Sequence, residues 1–213
     1  MKVIKRFFLL LFVVIFIVLL AGLATVYYGT ATRIVKYVDD VEEYSSEYDV
    51  DPLLILSVIK VESNFKNDAV SHMNAHGLMQ IIPETGEWVA NQLNLEYSDE
   101  MLQDEETNIK MGTYYLSYLL KHFGNRDLAL AAYNGGIGNV SKWLLDEKYS
   151  SDGMNLDHIP IDETRNYVVK VNNNYKIYKI FYEGVRLREN MHKEFKTYVN
   201  NVFRTVKDIK NKY

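Results

Sequence analysis

One acidic side chain, Glu62, ends an otherwise apolar segment that begins with Asp51-Pro52. Asp at an N-cap followed by Pro at the first helical position is a typical helix start. Ile55, Val58 and Ile59 share the face of Glu62 on the predicted helix. A carboxylate among such neighbours loses water, and desolvation favours its protonated form. The pattern predicts a buried general acid, and the alternative is a solvated Glu in a last helical turn.

The elements that must position this acid are helices almost throughout. Apolar stripes predict helices over Ile109 to Phe123, Leu128 to Tyr133, Val140 to Leu145 and Glu163 to Tyr182, with Gly124 ending the first and Asp127 capping the second. A further amphipathic helix is predicted from Val185 to about Lys210. No confident strand is predicted, so the sequence indicates a mainly α fold.

Four sequence motifs follow one another along these elements in a definite order. They are Glu62-Ser63-Asn64-Phe65 with Gly77-Leu78-Met79-Gln80, Asp104-Glu105-Glu106-Thr107-Asn108, Ala131-Ala132-Tyr133-Asn134-Gly135-Gly136, and Glu163-Thr164-Arg165-Asn166-Tyr167-Val168. Together they resemble a lytic transglycosylase domain of the soluble-lytic-transglycosylase type, over roughly residues 40 to 183. The resemblance implies a goose-lysozyme-like helical fold, with at most a small β element near residues 71 to 82.

The resemblance also implies a reaction that needs one carboxyl group. Glu62 is expected to protonate the leaving oxygen of the MurNAc–GlcNAc β-1,4 bond in peptidoglycan, and then to act as the base for the MurNAc C6 hydroxyl. That hydroxyl attacks C1 of its own sugar and leaves a 1,6-anhydroMurNAc end. An intramolecular nucleophile gains from proximity.

The matching motif positions imply a substrate-binding set around Glu62. Its members are Ser71, Met79, Gln80, Tyr133, Asn134, Glu163 and Tyr167. Each has a plainer interpretation when taken alone: a turn for Ser71, core packing for Met79 and the tyrosines, and a solvated helix start for Glu163. The segment 71–77 departs from the family's usual small residues, which leaves the substrate preference open.

Other kinds of site find little support. His72 and His76 are four residues apart, but no helical His-Glu-x-x-His pattern accompanies them, so no metal site is predicted. The chain has no cysteine and no phosphate-binding loop, and no cofactor is expected. A net charge of −4 argues against a nucleic-acid partner.

The N-terminus carries a candidate membrane segment. Lys2, Lys5 and Arg6 precede an apolar stretch from Phe7 to about Tyr28, which is long enough to span a bilayer. We expect a single-pass anchor at residues 1–28, with the remainder on the cell-wall side. The alternative is a cleaved signal peptide, which would release a secreted protein.

The predicted organisation is therefore an anchor (1–28), a connector helix (29–48), a catalytic domain (40–185) and a C-terminal helical tail (186–213), acting as a monomer on peptidoglycan glycan strands. Two other functions remain open at this point. One is hydrolysis by a goose-type lysozyme, with Glu163 or Asp68 as a second carboxylate that positions water. The other is a non-catalytic component that binds the cell wall.

Overall fold

The computed structural model describes residues 2–186, with side chains for 5–25 and 36–180. It divides into an N-terminal helix and a helical unit that begins at Val38. The first helix, α1 (Lys2–Lys36), contains the apolar span Lys5–Thr25, which has a mean hydropathy of 3.3 and side chains exposed along its whole length. By length and composition it can cross a bilayer. The predicted C-terminal helix lies almost entirely outside the described residues.

The helical unit contains seven further α-helices and one short 3₁₀ helix within the described residues. They are α2 (Val38–Tyr48), α3 (Pro52–Glu62), α4 (Pro83–Gln92), the 3₁₀ helix (Asp99–Gln103), α5 (Glu105–Phe123), α6 (Arg126–Gly135), α7 (Ile137–Leu144) and α8 (Asp162–Arg186). In this part of the chain, β pairing is confined to two isolated bridges, Val70 with His76 and His76 with Ile81. The mainly α prediction is confirmed, and the bridges lie where a small β element was expected.

Helix α3 forms the centre of the core. Asp51 caps it as predicted, since the Asp51 carboxylate accepts the Leu53 N–H at 2.8 Å. Every residue from Leu53 to Ile59 is buried, and the helix packs against α2 and α8. The chain turns sharply after Glu62, because Asn64 and Phe65 both adopt positive φ angles. The catalytic candidate therefore stands where a buried helix reaches the surface.

The predicted connector is helical, but its second half belongs to the core of the domain. Residues 29–36 continue α1, whereas 38–48 form the separate helix α2. Val41 and Tyr44 are buried, and α2 packs against α5. The acidic residues of α2 lie toward solvent: Asp39 and Glu43 are exposed, and Asp40 and Glu42 are partly exposed.

Helix α5 ends at Gly124 as predicted, with a φ of 61° at that glycine, and the Asp104 side chain caps its start. The start of α6 differs from the prediction. Its cap is Asn125, whose side-chain oxygen accepts the N–H groups of Asp127 at 2.8 Å and Leu128 at 3.2 Å. Asp127 is instead the second helical residue, where a carboxylate still favours the positive end of the helix dipole.

Candidate active site

Six of the eight predicted site residues meet in one cavity of about 260 Å³. The six are Glu62, Ser71, Gln80, Tyr133, Asn134 and Glu163, and the remaining lining residues are His72, Met73, Ala75, Ile81, Ile82, Thr85, Tyr115 and Gly136. They come from the end of α3, the loop before α4, the first turn of α4, the body of α5, the end of α6 with the following Gly136, and the start of α8. The cavity is thus assembled from segments that are far apart in the sequence.

Glu62 is the most perturbed acid in this cavity. Its carboxyl has little contact with water, and this burial raises its pKa from 4.5 to about 7. The interaction with the Tyr167 hydroxyl opposes the increase, and the negative charge of Glu163 adds to it. A carboxyl with a pKa near neutrality is present in both protonation states at physiological pH, so it can give a proton and take one back.

Two tyrosines flank the Glu62 carboxyl. Burial and the nearby Glu62 charge raise the pKa of both Tyr133 and Tyr167 well above the usual value, so both hydroxyls stay protonated. Tyr133 donates a hydrogen bond of 2.9 Å to the carbonyl oxygen of Met79, which fixes its orientation. The buried Tyr167 hydroxyl interacts with Glu62, but no described atom meets standard hydrogen-bond geometry with it. The Tyr167 hydroxyl is therefore close to the Glu62 carboxyl without a standard hydrogen bond to it.

The loop between α3 and α4 presents Ser71 and Gln80. The Ser71 hydroxyl oxygen accepts the N–H groups of Met73 at 3.2 Å and Ala75 at 3.1 Å, so the hydroxyl hydrogen can donate into the cavity. Gln80 donates through its amide nitrogen to the carbonyls of Ala69 and Gly77. Both residues therefore hold the loop together and also line the cavity. For Ser71, the turn role and the position facing a substrate are both present in the structure.

The opposite wall joins the end of α6 to the start of α8. Thr164, which is buried, donates its hydroxyl to the side-chain oxygen of Asn134 at 2.8 Å. This bond leaves the Asn134 amide nitrogen as a donor for a ligand. Glu163, the preceding residue, is exposed at the cavity margin. Arg165 faces away from the cavity, because it bonds Asp162 and the carbonyl of Ile159.

Met79 and Tyr167 are placed differently from the prediction. The Met79 side chain is fully buried and packs against Gly112 of α5, so it lies beneath the cavity wall. Gln80, with a φ of 49°, turns the chain at this point and directs its own side chain toward the cavity. Tyr167 is also buried behind the wall, where its hydroxyl interacts with Glu62 and with Tyr133.

One residue that holds the site together was not predicted. Asn108 of α5 is fully buried and donates to the carbonyls of His76 at 2.9 Å and Leu102 at 2.8 Å, while its oxygen accepts the Met79 N–H at 2.8 Å. A side chain at Gly77 would collide with the Asn108 amide, which explains the glycine there. Asn108 is the last residue of the motif that begins at Asp104, but nothing in that motif distinguishes a buried, structural Asn from an exposed one.

Comparison with known proteins identifies the family of this chain. Residues 39–154, more than half of the sequence, match the family described as "Transglycosylase SLT domain". The chain belongs to this family. The SLT domain resembles the soluble lytic murein transglycosylase of Escherichia coli, with 36% identity over 139 residues that cover 63% of this chain and 22% of the relative. It is 32% identical to the membrane-bound lytic murein transglycosylase C of Serratia proteamaculans over 167 residues, which cover 68% and 47% of the two chains.

Solved structures agree with the SLT assignment. The 70-kDa soluble lytic transglycosylase of Escherichia coli matches with a TM-score of 0.60 and 31% identity, over 70% of this chain and 24% of that one. An inactive Glu-to-Gln mutant of the lytic transglycosylase Slt from Pseudomonas aeruginosa matches with a TM-score of 0.59 and 28% identity, over 74% and 26%. The lysozyme-like SLT fold is confirmed, and the chain spans less than half the length of these relatives.

Proposed function

We propose that this protein is a peptidoglycan lytic transglycosylase that cuts the MurNAc–GlcNAc β-1,4 bond and forms 1,6-anhydroMurNAc ends. The observation that carries the proposal is Glu62, a carboxyl with a pKa of about 7 on the wall of a cavity built from SLT motifs. The related Slt of Pseudomonas aeruginosa is inactive as a Glu-to-Gln mutant, which fits a reaction that depends on one glutamate.

Glu62 performs two proton transfers in the proposed reaction. The protonated carboxyl first gives its proton to the glycosidic oxygen, and the GlcNAc-bearing fragment leaves with that proton. The resulting carboxylate then accepts the proton of the MurNAc C6 hydroxyl while that oxygen bonds to C1. The carboxyl is regenerated at the end, so no water is consumed.

The neighbours of Glu62 suit this cycle. The desolvated surroundings return the carboxyl to its neutral state, and the Tyr167 hydroxyl stabilises the anionic state that forms between the two steps. Ser71, Gln80 and Asn134 supply polar atoms around the cavity for the hydroxyl and acetamido groups of the sugars. We assign these three residues to substrate binding, together with Tyr133. We also assign a supporting role to Tyr167 and Met79, behind the cavity wall.

Hydrolysis is the second candidate function, because Glu163 places another carboxylate on the same cavity. A second carboxylate could hold and activate a water molecule, as in inverting glycosidases. Asp68, the other acid considered for this role, is exposed and does not line the cavity. The two reactions differ in their products, since a transglycosylase product is lighter by one water than the hydrolysed one.

The deciding experiment treats purified peptidoglycan with the full-length protein in mild detergent, beside the Glu62→Gln and Glu163→Gln variants. Mass analysis of the released muropeptides should show anhydro products from the wild type and none from Glu62→Gln. Reducing products that disappear with Glu163→Gln would assign a lysozyme-type hydrolase. Binding to peptidoglycan without release by the wild type would indicate a wall-binding protein.

We further propose that α1 anchors the protein as a single membrane span, with the SLT domain on the cell-wall side. The span Lys5–Thr25 supports this location, and a relative of the domain is named as membrane-bound. Lys5 and Arg6 at its start favour a cytoplasmic N-terminus. Membrane fractionation and protease accessibility of intact spheroplasts test the location, and release of a shortened soluble protein would instead indicate a cleaved signal peptide.

A further inference from the structure

Helix α8 carries an apolar stripe on the side that points away from the domain core. Val169, Ile177 and Ile180 are 52%, 48% and 68% exposed. At 3.6 residues per turn, these three residues and the exposed Asn173 lie on one side of the helix, opposite the buried Val171. A single exposed aliphatic residue is ordinary, but a line of them along three turns of one helix indicates a surface with an occupant. We name it the α8 stripe.

Basic side chains border the α8 stripe. Lys170 lies along one edge of it and Lys176 along the other, and both are exposed. At the start of the same side of the helix, Asp162 is paired with Arg165. The α8 stripe therefore has an apolar centre and a cationic border.

The charge of the chain changes sign at α8. Residues 38–163 contain 24 acidic and seven basic side chains, whereas residues 164–213 contain four acidic and twelve basic ones. A charge asymmetry of this kind is typical of proteins that contact a nucleic acid or a membrane. The exposed side of α8 is thus a basic region on an otherwise acidic domain.

This charge distribution decides between the possible occupants of the α8 stripe. The C-terminal segment, residues 187–213, has seven basic and three acidic side chains, so it would meet Lys170 and Lys176 with like charge. A second copy of α8 would also bring lysines against lysines. A soluble polyanion would pair with the lysines but would leave the aliphatic side chains in water.

A bilayer with anionic lipid matches both parts of the α8 stripe. The aliphatic side chains can enter the boundary between headgroups and acyl chains, as in helices that lie on a membrane. The lysine stems lie along the same apolar boundary while their charged ends reach the lipid phosphates.

We propose that the α8 stripe, with Lys170 and Lys176 at its edges, docks the SLT domain on a bilayer surface that contains anionic lipid. This contact does not depend on the reaction at Glu62, and it lies in the domain itself, apart from the anchor α1. Because α8 begins at the cavity with Glu163, docking of this helix sets the distance of the cavity from the membrane. Cleavage would then be restricted to glycan strands close to the bilayer, a consequence that rests on the proposed function.

A dye placed in the α8 stripe tests the lipid contact, because the chain has no cysteine of its own. Asn173→Cys gives an attachment point between Val169 and Ile177 without removing an aliphatic side chain. The full-length protein, labelled there with an environment-sensitive dye, is reconstituted in vesicles of phosphatidylcholine with or without phosphatidylglycerol. Only in the anionic vesicles should the emission shift to the blue and be reduced by a quencher on the acyl chains. The same dye at Glu87→Cys, an exposed position of α4, should emit equally in both.

Two pairs of substitutions in the labelled protein separate the cationic border from the apolar centre. Lys170→Gln with Lys176→Gln should lower the ratio of docked to undocked protein about thirtyfold, or about fivefold for each lysine. Ile177→Gln with Ile180→Gln should lower the same ratio at least about tenfold, because both side chains lose their contact with lipid.

A matched pair elsewhere on the domain controls for charge alone. Lys121→Gln with Lys142→Gln removes two exposed lysines from α5 and α7 and should leave the docked-to-undocked ratio unchanged. Melting curves of all the variants identify any general loss of fold.

Four results would each overturn the lipid surface. The first is equal emission of the Asn173 dye in neutral and anionic vesicles, or equal effects of the two lysine pairs. The second is burial of the dye without lipid that disappears when the chain ends at residue 186, which would assign the α8 stripe to the C-terminal segment. The third is burial that depends on protein concentration, which would assign it to a second copy. The fourth is a blue shift with soluble poly(glycerol phosphate) in detergent, which would assign it to a polyanion.

The lipid surface can fail without the anchor or the enzyme failing. Flotation of the protein with neutral vesicles measures the anchor α1 alone, and release of muropeptides measures the reaction. A protein that floats and cuts peptidoglycan, but whose dye stays in water on anionic vesicles, would retain the proposed function and lose the docking surface.

Discussion

Replacing Glu62 with Gln should make the protein more stable at neutral pH and should also remove its activity. The reason is that ionising the wild-type carboxyl costs free energy in the folded protein, where it is poorly hydrated, whereas in the unfolded chain the carboxylate is fully solvated. Gln has nearly the same shape and no charge to desolvate. Tyr167 can still interact with the Gln side chain, so the packing of α3 against α8 is retained.

The sign and size of the effect follow from the pKa of Glu62. Below pH 4.5 the carboxyl is protonated in both states and has no effect on folding. Between 4.5 and about 7 the folded protein holds a proton that the unfolded chain has lost, so stability decreases as the pH rises. Above that range the full penalty is about 3 kcal/mol, at roughly 1.4 kcal/mol for each unit of pKa. The buried amide of Gln has its own cost, so we expect a net gain of about 1–3 kcal/mol.

Thermal melting of the full-length protein in detergent measures this gain. Tryptophan fluorescence reports on the SLT domain, because both tryptophans lie there. Compared with the wild type, Glu62→Gln should melt at a higher temperature, by roughly 2–4 °C for each kcal/mol, at about pH 8, and much of the difference should vanish at about pH 5. Glu87→Gln on the exposed face of α4 is the control, with expected changes within about 0.5 kcal/mol at either pH.

A stability difference between Glu62→Gln and the wild type that does not depend on pH would refute this reasoning. It would mean that the Glu62 carboxyl is as well hydrated in the folded protein as in the unfolded chain. A loss of stability at both pH values would instead mean that the carboxylate has stabilising partners in the folded state.

Three further predictions concern the neighbours of Glu62. Tyr133→Phe loses the hydrogen bond to Met79 that orients a ring lining the cavity, worth about 1 kcal/mol, so kcat/KM on glycan strands should fall about fivefold. Tyr167→Phe removes an interaction that lowers the pKa of Glu62, so the loss of kcat/KM on the alkaline side should move to higher pH, as a pH–rate profile would show. Asn108→Ala removes the partner of the Met79 N–H and of the Leu102 carbonyl, while the His76 carbonyl keeps the Ile81 N–H, and denaturant unfolding should show a loss of about 2–4 kcal/mol.

A specific outcome would contradict each of these predictions. A wild-type kcat/KM for Tyr133→Phe would restrict that hydroxyl to packing, and an unshifted profile for Tyr167→Phe would make its contact with the acid structural only. For Asn108→Ala the matched control is Asn173→Ala, at an exposed position of α8, which should alter stability by no more than about 0.5 kcal/mol. Equal effects of the two Asn variants would remove the role given to Asn108.

Local patterns in the sequence were sufficient to predict the burial of Glu62 and the helix that carries it. The face shared by Ile55, Val58 and Ile59 predicted that Glu62 would be desolvated, and all three are fully buried. The Asp51-Pro52 start was predicted correctly because a cap depends on neighbouring residues only. The α6 cap was missed because Asn125 and Asp127 are both good caps, and the choice depends on where the chain leaves α5.

The features that could not be predicted from the sequence depend on contacts between residues that are far apart in the chain. Whether Met79 or Gln80 faces the cavity is decided by the positive φ angle of Gln80 and by the space that Gly112 leaves on α5. Helix α4 was not predicted, because its buried residues Gly86, Val89 and Ala90 are few and small. A second cavity, of about 230 Å³, is lined by residues of α4, α5 and α7, and no linear motif contains it.

The packing of α3 against α8 sets a minimum length for an active fragment. The region that matches the SLT family ends at residue 154, but Glu163 and Tyr167 belong to α8, which begins at Asp162. A fragment cut at the family boundary would keep Glu62 and every motif up to α7, yet one side of the carboxyl would be open to water. We expect the pKa of Glu62 to fall toward the ordinary carboxyl value in such a fragment, because more water would reach the acid. Anyone who transplants this domain into a fusion protein should therefore carry α8 with it.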